Sequence, residues 1–439
     1  MKSDLAHGIA DIRITDTHEH LRKEDEWVER GPRDVLEDLF SNYIPADLDV
    51  AGAEGAAIRA LTDPGTGDVA SRCAAIREAW ERVRFTGYGE AVRAMAQAVY
   101  GIDELDADAI AAAQPKLDAM RKPGKRLDLL RDTAGLDHVQ VDDFVFACEP
   151  DASGPEFFLY DLSWVSLSSG QISTETLHQE TGVTVTNLAT LRQAMEGLFA
   201  KYGPRAVAVK TQHAYGRTLQ WRQRNDSDAD RVLRKLLAGA PVTEAERLCL
   251  GDWCIARGVE LAGEHNLPFK IHTGYYAGSN YMLIDRIRPG HLAPLLVAYP
   301  KTRFVLMHIG YPYGQEMIAL AKHFRNVYVD LCWAWSIDPY SSMDFVRRFI
   351  HTAPANKLFG FGGDTFWPTS AVGYAMQTRR WLTRTLTAEV ADGLMTEAQA
   401  MGLAKRLLHD NAYDCFDIDA TRRAIRDAAP KTREPVAAK

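Results

Sequence analysis

Apolar and polar positions along the chain follow two rhythms. Residues 11–17 (DIRITDT) set Ile12 and Ile14 between polar neighbours, the two-residue period of a short strand. From about residue 21 to residue 136 the apolar spacing changes to three and four. DVLEDLFSNYI, SRCAAIREAWERVR, GEAVRAMAQAVYGI and DADAIAAAQPKLDAM each read as an amphipathic helix, punctuated by Asp-Pro-Gly at 63–65 and Lys-Pro-Gly at 122–124. Strand-like runs return at 138–146 (HVQVDDFVF) and 157–167 (FFLYDLSWVSL). A helix is predicted over 186–202, a short strand at 206–210 (AVAVK), and helix again over 225–266 with a break at Pro241. The second half is regular: strands at 268–272 (PFKIH), 303–308 (RFVLMH), 327–331 (VYVDL) and 357–361 (KLFGF), separated by helices near 291–299, 315–324 and 343–351. Helical patterns at 370–386 and 387–428 follow, and residues 429–439 read as a loose tail.

Strands alternating with helices imply βαβ units and a parallel sheet. The eight strand candidates match the number that closes a (β/α)8 TIM barrel. An open doubly wound sheet is the alternative, weakened by the lack of a glycine-rich turn after the first strand. The reading is α/β: a distorted (β/α)8 TIM barrel with a large helical insertion after strand one. A barrel typically takes about 250 residues, so the 439-residue chain has a surplus. Residues 21–137, leaving from the end of strand one, hold most of it. The expectation is one unit over 1–428, with the insertion covering the active-site mouth and setting substrate choice.

Hydrophobic residues make up 46% and charged residues 25%, enough apolar content for a large core and too much for disorder. No window approaches the roughly 18 uninterrupted apolar residues of a membrane span, and MKSDLAHGIADIRITD has no apolar stretch of signal-peptide length. With 51 Lys+Arg against 59 Asp+Glu and a net charge of −8, a nucleic-acid partner is not expected. Cysteines 73, 148, 249, 254, 332 and 415 form no CxxC pair and fit reduced thiols in a cytoplasmic enzyme, Cys249 and Cys254 as small core residues. The expected partner is a small-molecule substrate, with homo-oligomers the commonest state for soluble enzymes.

The sharpest chemical feature is Asp16-Thr17-His18-Glu19-His20 at the end of the first strand. Histidines at i and i+2 of an extended segment point the same way, so two imidazoles can grip one metal ion, with Asp16 supporting them. Two polar loop histidines would look the same. Position changes the weight between these readings. His272 closes PFKIH, His308 closes RFVLMH and Asp364 follows KLFGFGG, all at C-terminal strand ends, where TIM barrels carry catalytic groups. Imidazoles plus a carboxylate suit Zn²⁺ or another divalent ion, with a position left for water.

These motifs resemble the amidohydrolase superfamily of metal-dependent barrels, and its amidohydrolase-2 branch in particular. FKIHTGYY, VLMHIGYPYGQE, NVYVDL and LLHDNAYDCF are similar to the amidohydrolase domain fused to glutamine synthetase-like proteins of fungi and plants. The placement of the helical insert, with WERVRFTGYGEAVRAMAQAVYGI, resembles that of uronate isomerases. The resemblance implies that His18, His20 and His272 are metal ligands. It implies that His308 positions water, polarises substrate or binds a second metal, and that Asp364 binds metal and accepts the proton of the attacking water. At Lys210 it allows a carbamate bridging two metals; a substrate-facing cation and a plain strand-end charge stay open, as does a role for His213. In uronate isomerases a substrate-binding Arg stands two residues after the strand-eight Asp; here that residue is Phe366.

Aromatics crowd the predicted mouth: Tyr275, Tyr276, Tyr281, Tyr311, Tyr313, Trp333, Trp335, Phe366 and Trp367. They either pack loops or accept the flat part of a substrate. Lys210, Tyr276 and Trp333 are the substrate-binding candidates, and Arg217 and Arg286 could hold a carboxylate. His7, His138, His178, His265, His291, His323, His351 and His409 read as structural or surface residues, and Asp410-Asn411 as a brace for the barrel. The expected function is hydrolysis of an amide or lactone-like bond by metal-activated water, with His308 and the metal stabilising the oxyanion and Asp364 shuttling the proton. The expected cofactor is one or two divalent ions, Zn²⁺ first and Mn²⁺ or another next. The alternatives are non-oxidative decarboxylation of an aromatic or unsaturated acid, uronate isomerase-like chemistry, and a metal-free scaffold.

Overall fold

The computed structural model of the chain describes residues 4–276, 278 and 282–428, so the predicted tail and Tyr281 lie outside the described residues. Eight short strands follow one another: β1 (Ile14–Glu19), β2 (Leu136–Val141), β3 (Phe158–Tyr160 and Leu162–Ser163), β4 (Val209–Thr211), β5 (Phe269–Ile271), β6 (Phe304–Leu306), β7 (Val327–Asp330) and β8 (Leu358–Phe359). Every pairing is parallel, and each strand pairs with its sequence neighbours. The ladder is interrupted at Asp161, yet hydrogen bonding continues across the break: Asp161 N–H donates to Val141 O at 2.8 Å and Val207 N–H to Tyr160 O at 3.0 Å. The ring closes between β1 and the segment after β8, where Thr17 N–H donates to Phe361 O (3.1 Å) and Asp364 N–H to His18 O (3.0 Å). The fold is the α/β barrel expected from the strand count.

The barrel interior is layered. At its base Leu159, Val207, Val305 and Phe359 pack with Phe416, Cys415 and Ile418 of the C-terminal segment. Asn411 donates to the carbonyls of Ala355 and Leu358 at 2.8 Å, bracing β8 as the sequence suggested. Above that plug the filling turns polar: Lys270 Nζ lies 5.1 Å from the Phe416 ring centroid and bonds Asp161 and the Thr17 carbonyl. Thr17 Oγ1 donates to Asp330 at 2.7 Å. The C-terminal strand ends lie above this layer.

The insertion is helical from Glu24 to Thr133 and bonded to the barrel. Its helix Gly87–Met95 packs on the long helix Pro368–Ala391, with Gln377 donating to Gly87 O (2.9 Å) and Trp381 to Glu90 (2.7 Å). Gly87 also meets the turn Ala334–Ile337, so closely that a Cβ on it would lie 2.1 Å from Ser336 O. Asp38 accepts from Thr369 Oγ1 (2.8 Å) and from Tyr100, tying two parts of the insertion to the same helix start.

Several boundaries differ from the pattern. Residues 4–11 are helical, and β1 extends to Glu19, so His18 lies inside the strand. β2 already begins at Leu136, inside the stretch assigned to the insertion, because Leu136 pairs with Ile14. The run at 157–167 is two strand pieces and a helical turn, Val165–Ser168, since Asp161 turns inward to meet Lys270. Helix Thr174–Thr181, which the spacing did not predict, starts from the Ser173 cap. Among the described residues no helix is long and apolar enough to cross a membrane. All six cysteines are free, and Cys249 and Cys254 are buried.

Candidate metal centre

Alternation along β1 presents His18 and His20 together, and the turn after β8 brings Asp364 between them. Asp364 Oδ1 is 3.2 Å from His18 Nε2 and 3.3 Å from His20 Nε2. One ligand atom from each of the three lies within 4.8 Å of the others, and all three residues are buried. The two rings stand 4.6 Å apart and near-perpendicular, at 84°, so both nitrogens converge on one region. Asp16 lies behind them: its Oδ1 accepts from His18 N–H (3.2 Å) and Gly363 N–H (3.4 Å).

Second contacts set the tautomers. His20 Nδ1 faces Asp142 O at 2.6 Å and His308 Nδ1 faces Cys332 O at 2.8 Å. A carbonyl only accepts, so Nδ1 carries the proton in both, and a neutral ring then offers its Nε2 lone pair. His308 Nε2 is buried without a hydrogen-bond partner among the described residues. Burial lowers His18, His20 and His272 and pulls His308 down to about 4, which keeps all four imidazoles neutral. Burial works against ionising Asp364, but the hydrogen bond with His18 leads the contacts that hold its carboxyl well below the usual range. Two neutral imidazole nitrogens and a carboxylate, with orphaned nitrogen beside them, are a donor set that fits a divalent ion.

His272 stands beside the group rather than in it. Its ring lies 4.3 Å from that of His308, and its Nε2 faces Tyr275 O at 3.1 Å. Lys210 is fully buried, with Nζ 3.1 Å from His18 Nε2 and 3.2 Å from Gln212 Oε1. Trp333 meets the His308 ring edge-on at 5.5 Å, and its Nε1 is buried without a partner among the described residues. Tyr276 is buried against Tyr215, at 4.7 Å. His308, Trp333 and Asp364 all take left-handed backbone, with φ of +62°, +61° and +58°. Such residues cost about 1–3 kcal/mol each and persist where the surroundings over-determine them.

Other candidates are engaged elsewhere. Arg217 is paired with buried Asp252 at 2.5 Å, and Arg286 meets Glu244 at the surface. Trp335 donates to Gly360 O, Tyr313 to Ile284 O, and Trp367 packs on Trp27, so these three secure loops. His213 bonds Thr211.

Sequence reasoning missed the groups behind and around the triad. Glu19 holds the backbone N–H and hydroxyl of Thr365, next to Asp364. Phe144 stacks on His20 (4.3 Å, 10°), and Tyr215 leans on His272 (4.9 Å). Both are more than 40% exposed, as befits a rim, and Phe366 adds a second ring against His20 at 5.7 Å. Glu19 was visible inside DTHEH; nothing local marks Phe144 or Tyr215.

The sequence pattern of the family described as amidohydrolase matches residues 182–418. Over 230 residues the chain is 27% identical to the protein fluG of Emericella nidulans, covering 49% of this chain and 26% of that protein. Over 270 residues it is 24% identical to the uronate isomerase of Nostoc punctiforme, covering 55% of this chain and 54% of that one. The chain thus spans only about a quarter to a half of these curated relatives. The glucuronate isomerase of Caulobacter crescentus superposes with a TM-score of 0.77 at 16% identity, covering 94% of this chain and 93% of that structure, a likeness of fold. With the family pattern matching more than half of its length, the chain belongs to the amidohydrolase family.

Proposed function

We propose that this protein is a metal-dependent hydrolase of an amide or lactone-like bond in a small molecule. The observation that carries the reading is the convergence of His18, His20 and ionised Asp364 beside the bare Nε2 of His308. His18, His20 and Asp364 would hold the ion, with His272 adjacent; Zn²⁺ suits nitrogen–oxygen ligation best and Mn²⁺ next. A divalent ion supplies polarisation of a carbonyl and acidification of water toward a pKa of about 7.

The chain's own groups do the rest. Asp364 keeps Oδ1 on the two imidazoles, and its second oxygen accepts the proton of the attacking water. Neutral His308, with its proton committed to Cys332 O, presents an acceptor. It is therefore suited to aligning water rather than donating to an oxyanion, which favours the first of the roles that the resemblance implied for it. The available donor beside it is Trp333 Nε1–H.

The alignment with a uronate isomerase favours sugar-acid isomerisation as the second reading. At the mouth, however, the position where uronate isomerases carry a substrate-binding arginine is Phe366, whose ring lies against His20 and under the Arg22 guanidinium. Elemental analysis and turnover of a panel of lactones, amides, aromatic and unsaturated acids and uronates in ¹⁸O-water decide. A bound divalent ion and one labelled oxygen in the product carboxylate support hydrolysis. Release of CO2 without label, or isomerised sugar acid as the sole product, overturns it; a metal-free protein overturns every metal-dependent reading.

A further inference from the structure

Asp364 carries the carboxylate of the site on left-handed backbone (φ +58°), a conformation uncommon outside glycine, which aspartate enters more readily than most residues but still as a minority state. Its neighbours are gripped from within the barrel. Glu19 Oε2 accepts from Thr365 N–H and, at 2.9 Å, from Thr365 Oγ1, while Asp16 Oδ1 accepts from Gly363 N–H at 3.4 Å. Those bonds leave the carbonyl of Asp364 itself, and the insertion takes it from the opposite side. Tyr43 donates its hydroxyl to Asp364 O at 2.5 Å, across 321 residues of sequence. The Tyr43 ring lies 4.4 Å from that of Trp333, another left-handed residue, and 5.7 Å from that of Tyr88.

We propose that Tyr43 is a positioning residue: its hydroxyl holds the Asp364 main chain left-handed and so sets the carboxylate between His18 and His20. The proposal rests on the reading of Asp364 as a metal ligand. Carbonyl and side chain leave the same residue, so a rotation about Asp364 φ that frees the carbonyl also swings the carboxylate away from the imidazoles. It follows that the insertion completes the metal centre and is more than a cover over it.

Tyr88 provides the control. It belongs to the same aromatic stack, and its buried hydroxyl has no partner among the described residues. Tyr43→Phe and Tyr88→Phe therefore delete the same atom from the same stack, and only the first touches Asp364. Apoprotein of wild type and both variants is titrated with Co²⁺, following the visible ligand-field spectrum, and each protein is crystallised. Tyr43→Phe is expected to weaken Co²⁺ binding about 10–100-fold, the usual effect of losing a group that orients a ligand. Its spectrum should also change and Asp364 φ should leave the left-handed region, while Tyr88→Phe matches wild type. Wild-type affinity and spectrum in Tyr43→Phe would overturn the proposal, and so would an equal loss in Tyr88→Phe, which would assign the effect to ring packing. If wild type takes up no Co²⁺, the hydrolase reading falls separately. Asp364 φ in the Tyr43→Phe crystal then decides: relaxed supports the proposal, unchanged left-handed overturns it.

Discussion

Lys270 Nζ lies 3.0 and 2.9 Å from the two carboxylate oxygens of Asp161, and both side chains are fully buried. The same ammonium donates to Thr17 O at 2.8 Å, which ties β5 to the β3 break and to the strand that carries His18. Removing one partner of a buried pair strands the other charge, at about 3–5 kcal/mol. Lys270→Met should lower the unfolding free energy by about that much in urea titrations. Adding Asp161→Leu should recover most of the loss, because an apolar pair of similar volume replaces the ions without an orphan. A loss well under about 1 kcal/mol in the single variant would show that water or rearrangement reaches the site.

Removing metal should lower thermal stability reversibly. A ligand at about 100 times its Kd adds about 2.7 kcal/mol to a fold that alone binds it. Exhaustive chelation should therefore lower Tm by several degrees and abolish turnover, and stoichiometric Zn²⁺ should restore both. His20→Ala should contain little metal by elemental analysis while keeping the wild-type far-ultraviolet circular dichroism, because His20 sits in the metal group and outside the apolar core. An unchanged Tm on chelation would count against a tightly held ion.

Asp38 should give stability an acid-side slope. Burial raises its carboxyl from the usual 3.8 to about 7, despite the hydrogen bonds from Tyr100 and Thr369. Between those values the folded chain holds a proton that the unfolded chain has lost, so raising the pH through this window favours unfolding. The full shift is worth about 4 kcal/mol at most. Asp38→Asn removes this dependence. Its unfolding free energy relative to wild type should rise between pH 5 and pH 8, measured by urea titration at each pH. A constant difference would place the Asp38 carboxyl near its ordinary range.

Gly87 and Gly402 should respond oppositely to alanine. A Cβ on Gly87 would meet the Ser336 carbonyl at 2.1 Å, in the segment that follows Trp333. Gly87→Ala should cost about 1–3 kcal/mol as an overpacking change and speed proteolysis of the insertion. A Cβ on Gly402, inside helix Glu397–Lys405, meets nothing within 4 Å. Gly402→Ala should be stabilising by up to about 1 kcal/mol. Thermal unfolding of both variants checks the pair.

What the sequence determined on its own was local. Period-two alternation put His18 and His20 on one face, and strand–helix alternation gave β4 to β8 within a few residues. The fall of His272, His308 and Asp364 at strand ends then marked the site. These signals need only nearby residues, because side-chain direction along a strand or helix follows from backbone geometry alone. The tertiary structure decided the rest. Lys270 finds Asp161 across 109 residues and Tyr43 finds Asp364 across 321. The carbonyl of Cys332 selects the His308 tautomer and so leaves an acceptor at its Nε2. Left-handed backbone at Trp333 is likewise imposed by contacts, and at His308 and Asp364, whose side chains enter that region more readily than most, the packed chain still has to select it. Each of these depends on which buried polar group lies opposite, and burial raises the cost of leaving any of them unpaired. The length surplus thus resolves into an insertion whose position a pattern could mark, but whose Tyr43 hydroxyl at the metal centre only the packed chain reveals.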